Sequence, residues 1–199
     1  MKKIVFVIML AMTAMMGHGQ TARQVLDKAA KVVSNRQGIT ASFSISSAGI
    51  GTTSGTISVK GKKFHATTPV ATIWFDGKTQ WTYMKNNNEV NVSNPSEAEL
   101  QAINPYNFIN LYKSGFTTSM TTAAQKYQIH LVATNKKRNL QEMYITINKS
   151  NYVPTQVKMK QRNGWTTINI SNFKSTKLSD ELFRFKTTDY PHAEIIDLR

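Results

Sequence analysis

The stretch from Thr72 to Val92 constrains this chain more than any other. Two aromatic-rich runs, Ile73-Trp74-Phe75 and Trp81-Thr82-Tyr83, flank Asp76-Gly77-Lys78. Asp-Gly between β-favouring runs is a strong hairpin signal, because glycine enters positive φ without a Cβ clash. Asn86, Asn87 and Asn88 follow at once; such side chains bond their own backbone and tolerate the left-handed region. They are expected to return the chain through Glu89-Val90-Asn91-Val92 as a third strand. The unit is a three-stranded meander, and the remaining segments have to be placed around it.

Ahead of it, Thr21 to Arg36 repeats Val25, Ala29 and Val32 or Val33 at helical spacing, giving one apolar stripe that needs a partner. Gly38 ends this helix. Ile39, Ala41, Phe43 and Ile45 then alternate with Thr and Ser, the period of a half-buried strand. Gly49, Gly51 and Gly55 surround a polar turn, after which Ile57 and Val59 repeat the alternation before a turn at Gly61-Lys62-Lys63 and Phe64. Beyond Val92, Asn94-Pro95-Ser96-Glu97 has the chemistry of a helix start, with Leu100 and Ile103 on one face. Pro105 breaks that helix. A second short one carries Phe108, Ile109, Leu111 and Tyr112 and is closed by Gly115. Strands are expected again over Tyr127 to Ala133, Met143 to Ile147, Val153 to Lys160 and Trp165 to Phe173, with Pro154 at a strand start or edge. Leu182-Phe183-Arg184-Phe185 reads as a last strand before Tyr190-Pro191.

These elements make an α+β protein, mainly antiparallel β, with a large sheet, an N-terminal helix and a proline-broken helix pair whose apolar faces have one place to go, the concave side of the sheet. A sheet of this many strands curls, and its capped interior is either packed solid or encloses an apolar cavity.

At 199 residues the chain is long enough for one domain with a sizeable core. It has no cysteine, which removes disulfides, thiolate metal sites, a cysteine nucleophile and lipoprotein acylation of the chain itself. Met1-Lys2-Lys3, the apolar run Ile4 to Met16 and Gly17-His18-Gly19 have the order of a cleavable secretory signal over residues 1–19, leaving 20–199 as a single mature domain. The apolar run falls short of the roughly 20 residues that span a bilayer. Without Lys2 and Lys3 the formal charge of +14 becomes +12. In an exported protein such a balance suits anionic lipid, envelope polysaccharide or an acidic protein better than nucleic acid. Its densest groups are Lys136-Lys137-Arg138 and the alternation Lys158, Lys160, Arg162. A solvated polar sheet face accounts for these as well.

Catalytic chemistry finds little support. After the signal only His65, His130 and His192 remain, far apart and without metal-ligand spacing, and no serine lies in a Gly-x-Ser-x-Gly elbow. No catalytic residue, metal site or cofactor is expected.

The order of signal, N-terminal helix with Val25-Leu26, strand with Ala41-Ser42-Phe43, the Asp76-Gly77-Lys78-Thr79-x-Trp81-x-Tyr83 hairpin and the proline-broken helix pair resembles the LolA-type periplasmic lipoprotein carriers. Phe183-x-Phe185 followed by Pro191 and Ile195-Ile196-Asp197 is similar too. The resemblance implies a curled, half-open β-barrel with a helical lid. It further implies a periplasmic monomer that takes acylated lipoproteins from an inner-membrane transporter and delivers them to an outer-membrane acceptor. The family's Lys-Arg-Pro after the second strand, whose arginine ties the lid, is replaced here by Val59-Lys60-Gly61-Lys62-Lys63-Phe64, so Lys62 and Lys63 are the latch candidates.

Acyl chains offer no hydrogen bonds, so their carrier needs an apolar wall and a movable lid. Candidate wall residues on the first strands are Phe43, Ile45, Ile57, Val59 and Phe64, and on the meander Ile73, Phe75, Trp81 and Tyr83. The lid would add Leu100, Ile103, Phe108 and Leu111, with Met143 and Met159 as adaptable gap-fillers. Every one of them also suits an ordinary core. An envelope interaction or regulatory module with a packed interior, a carrier of another lipid, and least of all an envelope hydrolase are the competing readings.

Overall fold

The computed structural model describes residues 20–47, 51–96, 99–100 and 111–199. Helix α1, Ala22–Val33, opens with a capping box: Thr21 Oγ1 accepts from the Gln24 backbone and Gln24 Oε1 accepts from the Thr21 backbone. Its stripe of Val25, Leu26, Ala29 and Val33 is buried. Among the described residues twelve strands follow. In chain order they are β1 Ile39–Ser47, β2 Gly51–Lys60, β3 Lys63–Thr67, β4 Ala71–Phe75, β5 Gln80–Met84, β6 Glu89–Ser93, β7 Phe116–Thr122, β8 Lys126–Ala133, β9 Glu142–Asn148, β10 Pro154–Gln161, β11 Gly164–Ser175 and β12 Glu194–Asp197. They form one curled sheet in the order β12-β6-β5-β4-β3-β2-β1-β11-β10-β9-β8-β7, which does not close into a barrel. All pairs are antiparallel except β12 on β6.

The meander forms as its turn chemistry dictates. Asp76 Oδ1 accepts from the backbones of Lys78 and Thr79 at 2.9 and 2.8 Å, with Gly77 at φ 102°. Asn88 takes φ 57° at the second turn. β10 does begin at Pro154, inside the sheet.

Three readings of the sequence are corrected. Leu182 to Phe185 is not the last strand: Asp180–Phe183 is a 3-10 helix capped by Ser179, and the final strand is β12. β7 was not expected, since FTTSMTT has few apolar residues to announce it. Gly55 lies in mid-strand rather than in a turn, opposite Phe43. A Cβ there would lie 2.1 Å from the Thr67 carbonyl oxygen and 2.9 Å from the Phe43 ring, so only glycine leaves room for that ring.

One main core lies on the inner face of the sheet, under α1. It joins the α1 stripe to Ile39, Ile57 and Phe64 on one half and to Leu131, Ile145 and Val157 on the other. Leu100 and Leu111, both helical, pack against it. A second apolar layer lies on the outer face, where the segment after β11 crosses β3 and β4 before entering β12. Phe183 there is fully buried.

Candidate functional site

The inner face is the site the sequence points to, and cross-strand register assigns its residues. Directly opposed residues share a face. Phe43, Ile57, Val59, Phe64, Phe75 and Met143 are buried there, with Ile45, Ile73 and Met159 half-buried against them. Trp81 and Tyr83 are not on this face. Trp81 pairs with Trp74 and Tyr83 with Thr72, whereas Ile73 and Phe75 pair with Thr82 and Gln80. The two aromatics belong to the outer layer, where Tyr83 lies 4.5 Å from Tyr190. The inner positions of β5 are Gln80, Thr82 and Met84, and Met84 is the wall candidate that the sequence reading missed. Ile103 and Phe108 lie outside the described residues.

Along β1, β4 and β10 burial on this face falls toward one end, whereas the inner residues Ile129 and Leu131 of β8 and Met143, Ile145 and Ile147 of β9 are fully buried throughout. Along β1 the exposures are 0% at Ile39, 4% at Ala41 and 7% at Phe43, and Ile45 is only half-buried. β4 goes the same way from Phe75 to Ile73, and β10 from Val157 to Met159. Because the strands alternate in direction, Ile45, Ile73, Met84 and Met159 all fall at the same end. The result is an apolar floor that is less completely buried at this end on β1, β4, β5 and β10, while Met143, opposite Met159, is fully buried.

The lid latch differs from expectation. Lys63 Nζ meets Asp180 Oδ1 at 3.1 Å, and Lys60 Nζ meets the same oxygen at 3.1 Å and the Leu178 carbonyl at 2.9 Å. Period two sends Lys60 and Lys63 outward with His65, so they tie down the outer segment. Lys62 is exposed in the turn. The chain entering β7 is held instead by α1 and the β8–β9 turn. Arg23 donates to the Lys113 carbonyl at 2.9 Å, Tyr112 Oη donates to Asp27 Oδ1 at 2.5 Å, and Arg138 donates to the Gly115 carbonyl at 3.2 Å. Burial, then the Asp27 carboxylate, push the Tyr112 hydroxyl well above its ordinary range and keep it a donor. Gly115, at φ 79°, leaves the space that Arg138 occupies: a Cβ there would lie 2.1 Å from Nη1. Two arginines bonded to backbone carbonyls thus secure the segment entering β7. Neither has a local sequence signal, because each partner is a main-chain oxygen distant in sequence.

Among the described residues no group of three or more His, Asp or Glu side chains is placed to hold a metal ion. Residues 12–164 match the model of the family described as outer membrane lipoprotein carrier protein LolA. The chain belongs to the LolA family. An uncharacterized conserved protein from Thermus thermophilus shares its fold, with a TM-score of 0.61 at 12% identity over 89% of this chain and 99% of that one. A LolA superfamily protein from Nitrosomonas europaea aligns at 14% identity over 83% and 98% of the two chains, with a TM-score of 0.46. LprF from Mycobacterium bovis aligns at 9% identity over 79% and 96%, with a TM-score of 0.44. No curated protein sequence matches the chain.

Proposed function

We propose that this LolA-family protein carries acyl chains on the inner face of its sheet and serves as a periplasmic chaperone, taking lipoproteins from an inner-membrane transporter to an outer-membrane acceptor. In this reading residues 1–19 are the cleaved signal and 20–199 the single carrier domain. The observation that carries it is the burial gradient. Ile45, Ile73, Met84 and Met159 are half-buried apolar residues gathered at one end of the inner face, and a carrier needs such an entrance.

Each acyl methylene placed there gains about 0.8 kcal/mol, so one long chain supplies useful affinity. Met84, Met143 and Met159 are unbranched and re-pack around cargo without a fixed shape. Arg23, Asp27 and Arg138 bond Lys113, Tyr112 and Gly115 and would set how readily the chain entering β7 moves. The role asks for no catalytic group and no cofactor.

Native mass spectrometry of protein purified from its own envelope fraction tests this, with Ile73→Asp as comparison. Ile73 is half-buried rather than fully buried, and circular dichroism checks that the variant is folded. The expected result is co-purifying acylated species in the parent and none in the folded variant. A bare parent that also fails to take up a palmitoylated peptide would overturn the carrier reading in favour of an envelope interaction module.

A further inference from the structure

The outer face of the β8–β11 half carries a patch that the carrier reading does not use. Alternation sends His130, Tyr144, Lys158 and Trp165 outward, opposite the core residues Leu131, Met143, Val157 and Ile168. The His130 and Tyr144 rings stack at 4.1 Å and 2°, and Tyr144 lies 5.9 Å from Trp165. Lys158 and Lys160 hold their ammonium groups 5.5 and 5.8 Å from the Trp165 ring centre. Trp165 and Val132 nonetheless stay 37% and 38% exposed. The adjoining turns add Lys136, Lys137 and Arg162, and Arg162 donates to the Lys137 carbonyl at 3.1 Å. Glu142 is the carboxylate of this patch, and it is already engaged by His130 and Lys160, each at 3.3 Å.

We propose that this patch docks the protein on an anionic bilayer surface, with the Trp165 indole entering the headgroup layer and the surrounding lysines meeting lipid phosphates. Charge complementarity is the first argument. Five cations face one carboxylate, and an anionic leaflet attracts such clusters. The residue types are the second. Indole and phenol rings settle at the membrane interface, where one part of the ring is wet and the other dry. Lysine has a flexible stem and a point charge, which suits a fluid array of phosphates better than a fixed bidentate site. A folded protein partner is less well served, because Trp165 and Val132 alone make a small apolar centre for an interface.

Position is the third argument. Trp165, Lys160 and the two basic turns lie at the same end of the inner floor as the half-buried Ile45, Ile73, Met84 and Met159. On β10 the inward Met159 sits between the outward Lys158 and Lys160. Docking through the outer patch therefore brings the rim of that floor to the headgroup layer. The inference rests on its own geometry and does not require acyl cargo.

The test is sedimentation of the purified protein with vesicles of phosphatidylglycerol in phosphatidylcholine, against phosphatidylcholine alone, at low and high salt. Binding to the anionic vesicles alone is expected, weakening as salt screens it. Lys158→Gln and Lys160→Gln should each weaken it on the order of fivefold. Lys78→Gln, in the hairpin turn of the other half, should leave it unchanged. Trp165 emission should shift to the blue on binding, a shift absent in Trp165→Ser. The proposal is overturned if the anionic vesicles do not retain the parent, or if the double lysine variant, folded by circular dichroism, binds as well as the parent. Capture by soluble polyglutamate but not by vesicles would assign the face to an acidic polypeptide and overturn the bilayer assignment. Acyl-peptide uptake, measured separately, reports the carrier function, so either idea can fail alone.

Discussion

His65 and Trp74 meet across β3 and β4, and His130 and Tyr144 meet across β8 and β9. Each half of the outer face thus carries a histidine-aromatic pair at directly opposed antiparallel positions. On the first half the chain after β11 returns over the pair: Phe185 and Tyr190 pack edge-on against Trp74 at 5.5 and 5.6 Å, and Trp74 is left 8% exposed. Lys60 and Lys63 fix that cover through Asp180. On the second half Trp165 is 37% exposed, with lysines beside it. Between the two runs a strip of outward hydroxyls, Ser42, Ser44, Thr56 and Ser58, marks the ordinary solvated face. The same cross-strand device thus becomes core where the tail reaches and surface where it does not.

The largest expected effect is at the covered half. Phe183→Ala should cost about 3 to 5 kcal/mol in urea unfolding, because a fully buried ring leaves a cavity under the crossing segment. A loss near that of a surface change would mean the cover is loosely held and the two halves are alike.

Asp180→Asn should free the tail, seen as faster tryptic cleavage at Arg184 and Lys186. Hydrogen bonds from Lys63 and then Lys60 hold the Asp180 carboxyl below its ordinary 3.8. The anchoring is therefore complete above that value and is lost as pH falls through the lowered folded value. At neutral pH, where trypsin works, the variant should be cleaved quickly while the parent resists.

His65 sharpens the comparison by titration. Burial lowers its pKa from the ordinary 6.5, so the unfolded chain takes up a proton that the folded one resists. Stability should be full above pH 6.5 and decline as pH drops below it, and His65→Gln should flatten that part of the profile.

The smallest effect belongs to the open half. Trp165→Ser should cost about 1 kcal/mol, well below Phe183→Ala, because the ring is partly exposed yet still touches Tyr144 and two lysines. A large loss would show that Trp165 is packed after all.

How much of this was legible can be argued from particular residues. Asp76-Gly77 and Asn86-Asn88 determine their turns locally, and the alternations Ile39-Ala41-Phe43 and Ile57-Val59 name the inner face, because a strand's period is two whatever it packs on. Trp81 and Tyr83 show the limit. They share a period with each other, but nothing in Gln80–Met84 says which face is inner, and aromatic character pointed to the wrong one. Phe183 was read as strand because its apolar neighbours suit one, and tertiary packing made it a helical plug.

By itself the sequence determined the meander, the helix stripe, the alternating strands and, through them, the family. Only the tertiary structure decided which half of the outer face is covered, that Lys60 and Lys63 serve the tail, and that Arg23 and Arg138 hold the segment before β7. The physical reason is range. Turn and alternation signals are settled by backbone preference within a few residues, whereas these contacts join positions 23 to more than 100 residues apart and exist only once the sheet has curled.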